Sequence, residues 1–449
     1  MSKTYFLLSL GCPKNEVDAE AMSSILSKAG YLSLATPDEA DFLIVNTCGF
    51  IVPAQEEAID AILDMAEFKA QNLAKSQPCY LIVTGCLSQR FPQEIYDDLP
   101  EVDAILGTAE YHNILKVCEA LAAGTHTKSL PQGRGSLLHL SELHKPVPNR
   151  SYAYLKISEG CSNACAFCAI PSIRGGQKSR KIEDIVAEAK YYVSLGYKEL
   201  ILVAQDTTRY GSDIYGKNSL VELLKALLAV KEMVPLRLMY VYGDAFSDEL
   251  IDLIASEEKI LPYIDLPVQH ASNKILRAMR RRESRESITE LISKLRRRIP
   301  ALILRSTVMV GFPGEDDEDF AELMDFIKEI RFDRLGAFIF SPEEGTLAYK
   351  MSDKVPAEIA QKRYDELMQE QNRISLEANL SRVGKKCRVV LEAVSEDGLY
   401  YLARSYAEAP EIDPQIYLLA QNPDLSIGDF TNCNIVDADA YTLTAVSED

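Results

Sequence analysis

No apolar run in this chain approaches the ~20 residues a membrane span needs. The N-terminal stretch YFLLSL, residues 5–10, ends in GCPKN and is too short for the hydrophobic segment of a secretory signal. The expected location is therefore cytoplasmic, with no membrane association. Bases are also scarce: 48 Lys and Arg stand against 67 Asp and Glu, a formal charge of −19. Phosphates need a basic footprint, so broad binding to nucleic acid, including direct binding of tRNA, is disfavoured. The charge suits a basic protein partner, or solubility alone. Ten cysteines in 449 residues make no disulfide scaffold. In a reducing compartment, clustered thiols bind metal or do chemistry.

Residues 1–125 alternate strand-like runs (TYFLLSL, FLIVNT, YLIVTG, DAIL) with helical periods, the pattern of a parallel sheet covered on both faces. Pro53 suits a helix start and Gly30 a helix end. Residues 126–150 hold three His and three Pro without a sustained period and read as a linker. From 151 to 382 the alternation resumes. AYLKIS, ELILVAQD, LRLMYVYG, YIDLPVQ, ILRSTVMVGF and LGAFIFS are six strand candidates separated by helices. Six βα units of one handedness predict an open (βα)6 partial barrel. Residues 383–449 hold short strands and turns, the texture of a small antiparallel β-barrel.

Three cysteines follow three successive strands of the first region at matching offsets: SLGC, VNTC and VTGC, giving Cys12, Cys48 and Cys86. Loops after successive strands of an open parallel sheet meet at one edge, so these thiols should share a metal site. Cys79, Cys118, Cys387 and Cys433 read as packing residues. A second trio lies in GCSNACAFCAIP, residues 160–171: Cys161, Cys165 and Cys168, with no fourth thiol. A closed zinc site takes four ligands. A four-iron cubane takes one cysteine per iron, so three thiols leave one iron open to a chelating small molecule. Zinc with an outside fourth ligand is the competing reading.

The C-x3-C-x2-C loop resembles that of the radical S-adenosylmethionine enzymes. The resemblance implies that the open iron binds S-adenosylmethionine, that a 5′-deoxyadenosyl radical is made, and that Phe167 lies by the adenine. Two three-cysteine sites, an α/β domain, a radical barrel and a terminal β-barrel together resemble the methylthiotransferases, in which that last barrel is the TRAM (OB-like) domain. GCPKN at 11–15, NTCGFI at 46–51, LVAQDTTRYG at 202–211, LPVQHAS at 266–272, RSTVMVGFPGE at 305–315, FSPEEGT at 340–346 and RSYAEAPEID at 404–413 are similar to the RimO branch. Glu16 and Pro414 depart from its pattern. The alternatives are the tRNA adenosine (MiaB-like) branch and, from another class, a non-catalytic iron–sulfur electron carrier.

That resemblance implies two [4Fe-4S] clusters, one on Cys12, Cys48 and Cys86 and one on Cys161, Cys165 and Cys168. It implies S-adenosylmethionine as cofactor and a methylthio group added to the β-carbon of an aspartate in the twelfth protein of the small ribosomal subunit, within or outside the subunit. A flavodoxin or ferredoxin is the implied electron donor. Gln205 ends the second barrel strand, and Gly311 and Gly314 form a turn after the fifth. Residues at such ends face the reaction zone, so these are candidate cofactor-binding positions. His270, after the fourth strand, is a weaker candidate for catalysis. From Gly384 to Asp449 four bases stand against twelve acids, a net −8 that repels phosphate and attracts a basic protein. Residues 273–298 run the other way, with ten bases and three acids. That stretch reads as a solvated helix face, or as a contact to ribosomal RNA, an acidic electron donor or a cofactor carboxylate.

Overall fold

The computed structural model describes residues 3–125, 130–135, 150–420 and 424–448. Strand β3 (Phe42–Thr47) is buried at all six positions, the mark of a strand covered on both faces. It pairs in parallel with β1 (Thr4–Ser9) and β4 (Tyr80–Gly85), and β2 (Leu32–Ser33) and β5 (Ala104–Ile105) flank them in the order β2-β1-β3-β4-β5. Alternate side chains point to opposite faces. Ile44 and Ile82 join Val17, Met22 and Leu26 of the helix Pro13–Lys28. Leu43, Val45 and Val83 join Ala58, Ile62 and Met65 of the helix Val52–Ala74. Pro13 and Pro53 sit in the first turns, where a missing N–H costs nothing.

The central region opens with β6 (Tyr152–Lys156) and a small antiparallel pair, β7 (Ser158–Glu159) with β8 (Lys178–Ser179). Then come β9 (Glu199–Val203), β10 (Leu236–Leu238), β11 (Ile260–Asp265), β12 (Ile303–Val310) and β13 (Arg334–Ile339). The sheet runs β13-β12-β11-β10-β9-β6, parallel throughout, and among the described residues β13 does not pair with β6. This is the open six-stranded barrel that the alternation predicts. LRLMYVYG yields a strand only to Leu238, because Tyr240 takes a left-handed backbone (φ 59°) and turns the chain. Leu200, Leu202, Leu236, Ile264 and Leu304 face the surrounding helices. Tyr152, Tyr154, Ile201, Val203 and Tyr263 face inward and pack in one cluster with Val17 and Met22. The helix Pro13–Lys28 thus fills the flank that the barrel leaves open.

The C-terminal region is a closed barrel of β14 (Lys386–Val394), β15 (Tyr401–Arg404), β16 (Ile416–Leu419), β18 (Leu443–Ser447) and β17 (Phe430–Ala438), in that order. The expectation of an antiparallel barrel needs one correction: β16 and β18 pair in parallel. A ring of five strands cannot alternate throughout, so one like-directed pair is forced. Cys433 and Cys387 face each other across β14 and β17 with sulfurs 3.4 Å apart.

The loop from Arg404 to Asp413 reaches beneath the central barrel. Arg404 bonds Glu199 at 2.5 Å, Arg237 donates to the Tyr406 carbonyl at 2.9 Å, Tyr263 donates to Asp413 at 2.6 Å, and Glu411 accepts from Tyr152 and Tyr154. Glu199 and Tyr152 open their strands, so the loop stoppers the end where the strands begin. Of the expected linker, 130–135 lies against Glu110 and Lys178, and 126–129 and 136–149 fall outside the described residues. No helix among the described residues is long and apolar enough to cross a membrane.

Candidate functional site

Cys12, Cys48 and Cys86 stand just beyond the carboxyl ends of β1, β3 and β4, three neighbours in the sheet. Gly11 touches Cys48: a Cβ on it would lie 2.7 Å from the Cys48 Cβ. A Cβ on Gly49 would lie 2.6 Å from the Leu87 backbone, so the Cys48 and Cys86 loops abut as well. The three junctions therefore converge. Gly11, Gly85 and Gly160 each precede a cysteine and each has positive φ (91°, 100° and 74°). This left-handed step turns the strand sharply into its loop and favours glycine. The glycine in SLGC, VTGC and EGC was the available signal.

Asn15 ties the first triad together. Its Nδ2 donates to Leu10 O at 3.0 Å and Thr47 O at 2.9 Å, and its Oδ1 accepts from Arg174 and, at 3.5 Å, from Cys86 Sγ. Arg174, fully buried, also bonds Asp18 at 3.1 Å and Glu159 at 2.8 Å. Lys156 completes a buried quartet, 2.5 Å from Asp18 and 2.9 Å from Glu159. Burial alone would raise the Glu159 carboxyl, but Arg174 and Lys156 outweigh it and hold it at about 2. Sequence reasoning missed this quartet. Its faint signals were a lysine in the apolar run AYLKIS and an acid just before GC.

Burial pushes the Cys86 thiol up to about 12 and raises Cys48. Burial opposes ionisation of Cys12 too, yet Lys14 and Arg174 prevail and lower it. Cys12 also stands at the N-terminus of the helix Pro13–Lys28, where a thiolate is favoured.

The second triad lies in the loop between β7 and the short helix Ile170–Ile173. Cys161 N bonds Gly175 O at 3.1 Å, Ala166 N bonds Met279 O at 2.9 Å, and Ala348 N bonds Ala166 O at 2.8 Å. Asn163 donates to Asp206 at 2.7 Å and its N–H reaches Cys161 Sγ at 3.4 Å. Cys165 Sγ is 3.0 Å from the Tyr242 hydroxyl, and Arg281 stacks 4.0 Å from that ring's centre. Burial raises Cys161 to about 11 and Cys168 to about 12. The triads are neighbours: Cys86, Ala169 and Ile173 form one buried apolar cluster, and Ala169 follows Cys168.

Gln205 donates to Glu159 at 3.0 Å, and its Oε1 is buried without a hydrogen-bond partner. Phe167 is half-buried against Ala166, Ile275, Met279 and Phe312. The open face of Gly311 meets Ala360, while Gly314 N bonds Asp353 O at 2.7 Å and nothing lies within 4 Å of its Cβ position. His270 is fully buried, its Nδ1 accepting from Ser272 N at 2.9 Å and its Nε2 lying 3.5 Å from Glu315. The loop holds this histidine through Nδ1, while its buried Nε2 makes no hydrogen bond. Glu16, the departure noted in the sequence, pairs with Arg150 just ahead of β6.

No three His, Cys, Asp or Glu side chains among the described residues are drawn together around a single metal ion. Fit to a metal group therefore rests on donor chemistry. Soft thiols, three to a loop cluster, with fixed cations beside one set, suit iron–sulfur clusters. The unpartnered Gln205 oxygen suits a donor from a small-molecule cofactor.

Residues 155–327 match the radical SAM superfamily, 4–107 match the uncharacterized protein family UPF0004, and 383–447 match the TRAM domain. Over 449 residues the chain is 43% identical to the ribosomal protein uS12 methylthiotransferase RimO of Acetivibrio thermocellus, covering 99% of this chain and 98% of the relative. The chain belongs to the RimO family. The RimO of Caldanaerobacter subterraneus is 46% identical over 97% of this chain and 98% of its own. That of Clostridioides difficile is 44% identical over 97% of each. Among solved structures, the radical S-adenosylmethionine methyltransferase TsrM of Kitasatospora setae, with cobalamin and a [4Fe-4S] cluster bound, shares the fold. Its TM-score is 0.56 at 14% identity, over 78% of this chain and 77% of that one. The chain thus carries the radical SAM fold between its two flanking regions.

Proposed function

We infer that this chain is a radical S-adenosylmethionine methylthiotransferase that adds a methylthio group to the β-carbon of an aspartate in ribosomal protein uS12. The observation that carries the reading is the contact between two three-thiol loops in a chain that matches RimO enzymes end to end. Cys12, Cys48 and Cys86 would hold one [4Fe-4S] cluster, and Cys161, Cys165 and Cys168 the other. Bound there, the clusters and S-adenosylmethionine supply methyl transfer to sulfur and one-electron chemistry at carbon. The chain's own residues position and shield. The Asp18–Lys156–Glu159–Arg174 quartet locks the two loops in one register, and Glu159 orients Gln205 toward the cofactor. Phe167, Gly311 and Gly314 complete the cofactor's surroundings.

The units are 1–125, a linker 126–150, a radical domain 151–382 and a substrate-gripping barrel 383–449, whose net −8 suits a basic ribosomal protein. An acidic flavodoxin or ferredoxin supplies electrons, in the cytoplasm. The test is anaerobic incubation with uS12, with small ribosomal subunits and with tRNA, followed by mass analysis. A methylthio group on uS12 is expected, with 5′-deoxyadenosine released. Modified tRNA beside untouched uS12 would overturn the branch, and absence of 5′-deoxyadenosine would favour an electron carrier.

A further inference from the structure

Lys14 stands two residues after Cys12 in the first turn of the helix Pro13–Lys28 and is only 7% exposed. Its ammonium lies 3.5 Å from the centre of the Tyr240 ring. Among the described residues no carboxylate lies within ion-pair distance of it and no oxygen accepts a hydrogen bond from it. An aromatic face engages the charge but leaves N–H donors unused. The side chain is packed in while its ammonium keeps a little surface of its own, so the unused donors stand open to an acceptor from outside the chain.

Tyr240 is itself set with care. Its backbone is left-handed, its N–H donates to Asp265 at 3.0 Å and its carbonyl accepts from Thr207 at 3.0 Å. Three elements thus place this ring beneath Lys14 at the carboxyl end of β10, where a barrel's reacting groups gather. Sulfur delivered from the Cys12 side to an aspartate β-carbon brings the side-chain carboxylate, one bond further on, next to the same triad. We propose that Lys14 receives the carboxylate of the substrate aspartate and makes the enzyme choose aspartate over asparagine. An asparagine amide offers an oxygen of the same geometry without the negative charge, so the ammonium loses the ion-pair attraction it has to a carboxylate.

This inference rests on the function proposed above. Its test uses the full-length, cluster-loaded enzyme, uS12, and uS12 with asparagine at the modified position. Affinities are measured anaerobically for wild type, Lys14→Met and Lys14→Arg, with iron content and S-adenosylmethionine affinity measured alongside. Wild type should prefer the aspartate form. Lys14→Met should shrink that preference by roughly ten- to a hundredfold in the enzyme fraction that retains its iron, and Lys14→Arg, which keeps a cation beside Cys12, should retain its iron and part of the preference. An unchanged preference in Lys14→Met overturns the proposal. So does a loss confined to S-adenosylmethionine affinity, which would make the bound carboxylate the cofactor's. Loss of iron in both variants also overturns it, by assigning Lys14 to support of the cluster. Failure of the wider reading looks different: wild type then leaves uS12 unmodified.

Discussion

Glu159 shows how much one buried side chain coordinates. It meets Lys156, Arg174, Gln205 and the N–H of Gly160, just ahead of the radical loop. Breaking such a buried network on one side strands its cations, so Glu159→Gln should cost about 3–5 kcal/mol in chemical denaturation. The pH dependence follows from the depressed carboxyl. A carboxyl held at about 2, against 4.5 ordinarily, binds fewer protons folded than unfolded below pH 4.5. Its stabilisation is present above pH 4.5 and is lost as pH falls toward 2, so the wild-type stability curve should drop through that window more steeply than the Glu159→Gln curve. The two cysteine triads stand out in the sequence by offset and spacing, and the fold brings the loops that carry them into contact. The sequence hid Glu159 and Arg174, because a charged residue's partners 15 to 159 positions away leave no local period.

At the scale of elements, the strand-to-loop junctions carry the site. The alternation of runs and helices made β1, β3 and β4 legible, and the matching offsets of their cysteines told which edge they share. What escaped was the conformational demand of the turns. A Cβ on Gly160 would lie 2.4 Å from Gly176 O, and one on Gly85 would lie 2.5 Å from Thr47 O. Each position also has positive φ, which disfavours a side chain by about 1–2 kcal/mol. Gly160→Ala should therefore displace Cys161 and lower the iron retained by the radical loop, while Gly85→Ala should do the same to the Cys86 loop. Iron analysis of anaerobically purified variants, read beside thermal unfolding, checks both. Thiols raised by burial must shed protons on binding metal, so cluster reconstitution should be more complete at pH 8 than at pH 6.

For the whole molecule, three units that alternation and texture distinguish are fastened by ion pairs that texture does not reveal. Arg404 joins the C-terminal barrel to Glu199 of the central sheet and is nearly fully buried. Arg404→Ala leaves Glu199 and Glu392 short of a partner and should cost about 3–5 kcal/mol, seen as an early, separate transition for the C-terminal barrel in calorimetry. On the two-cluster function proposed above, replacing Cys12, Cys48 and Cys86 together by Ala should reduce iron from about eight atoms per chain to about four, with 5′-deoxyadenosine still formed and no product on uS12.

The loop beneath the central barrel has a further consequence. With Arg404 to Asp413 stoppering one end and the helix Pro13–Lys28 filling the flank, the described residues leave the opposite mouth, where the thiol loops stand, as the approach to the barrel. On the function proposed above, cofactor and protein substrate would share that one approach.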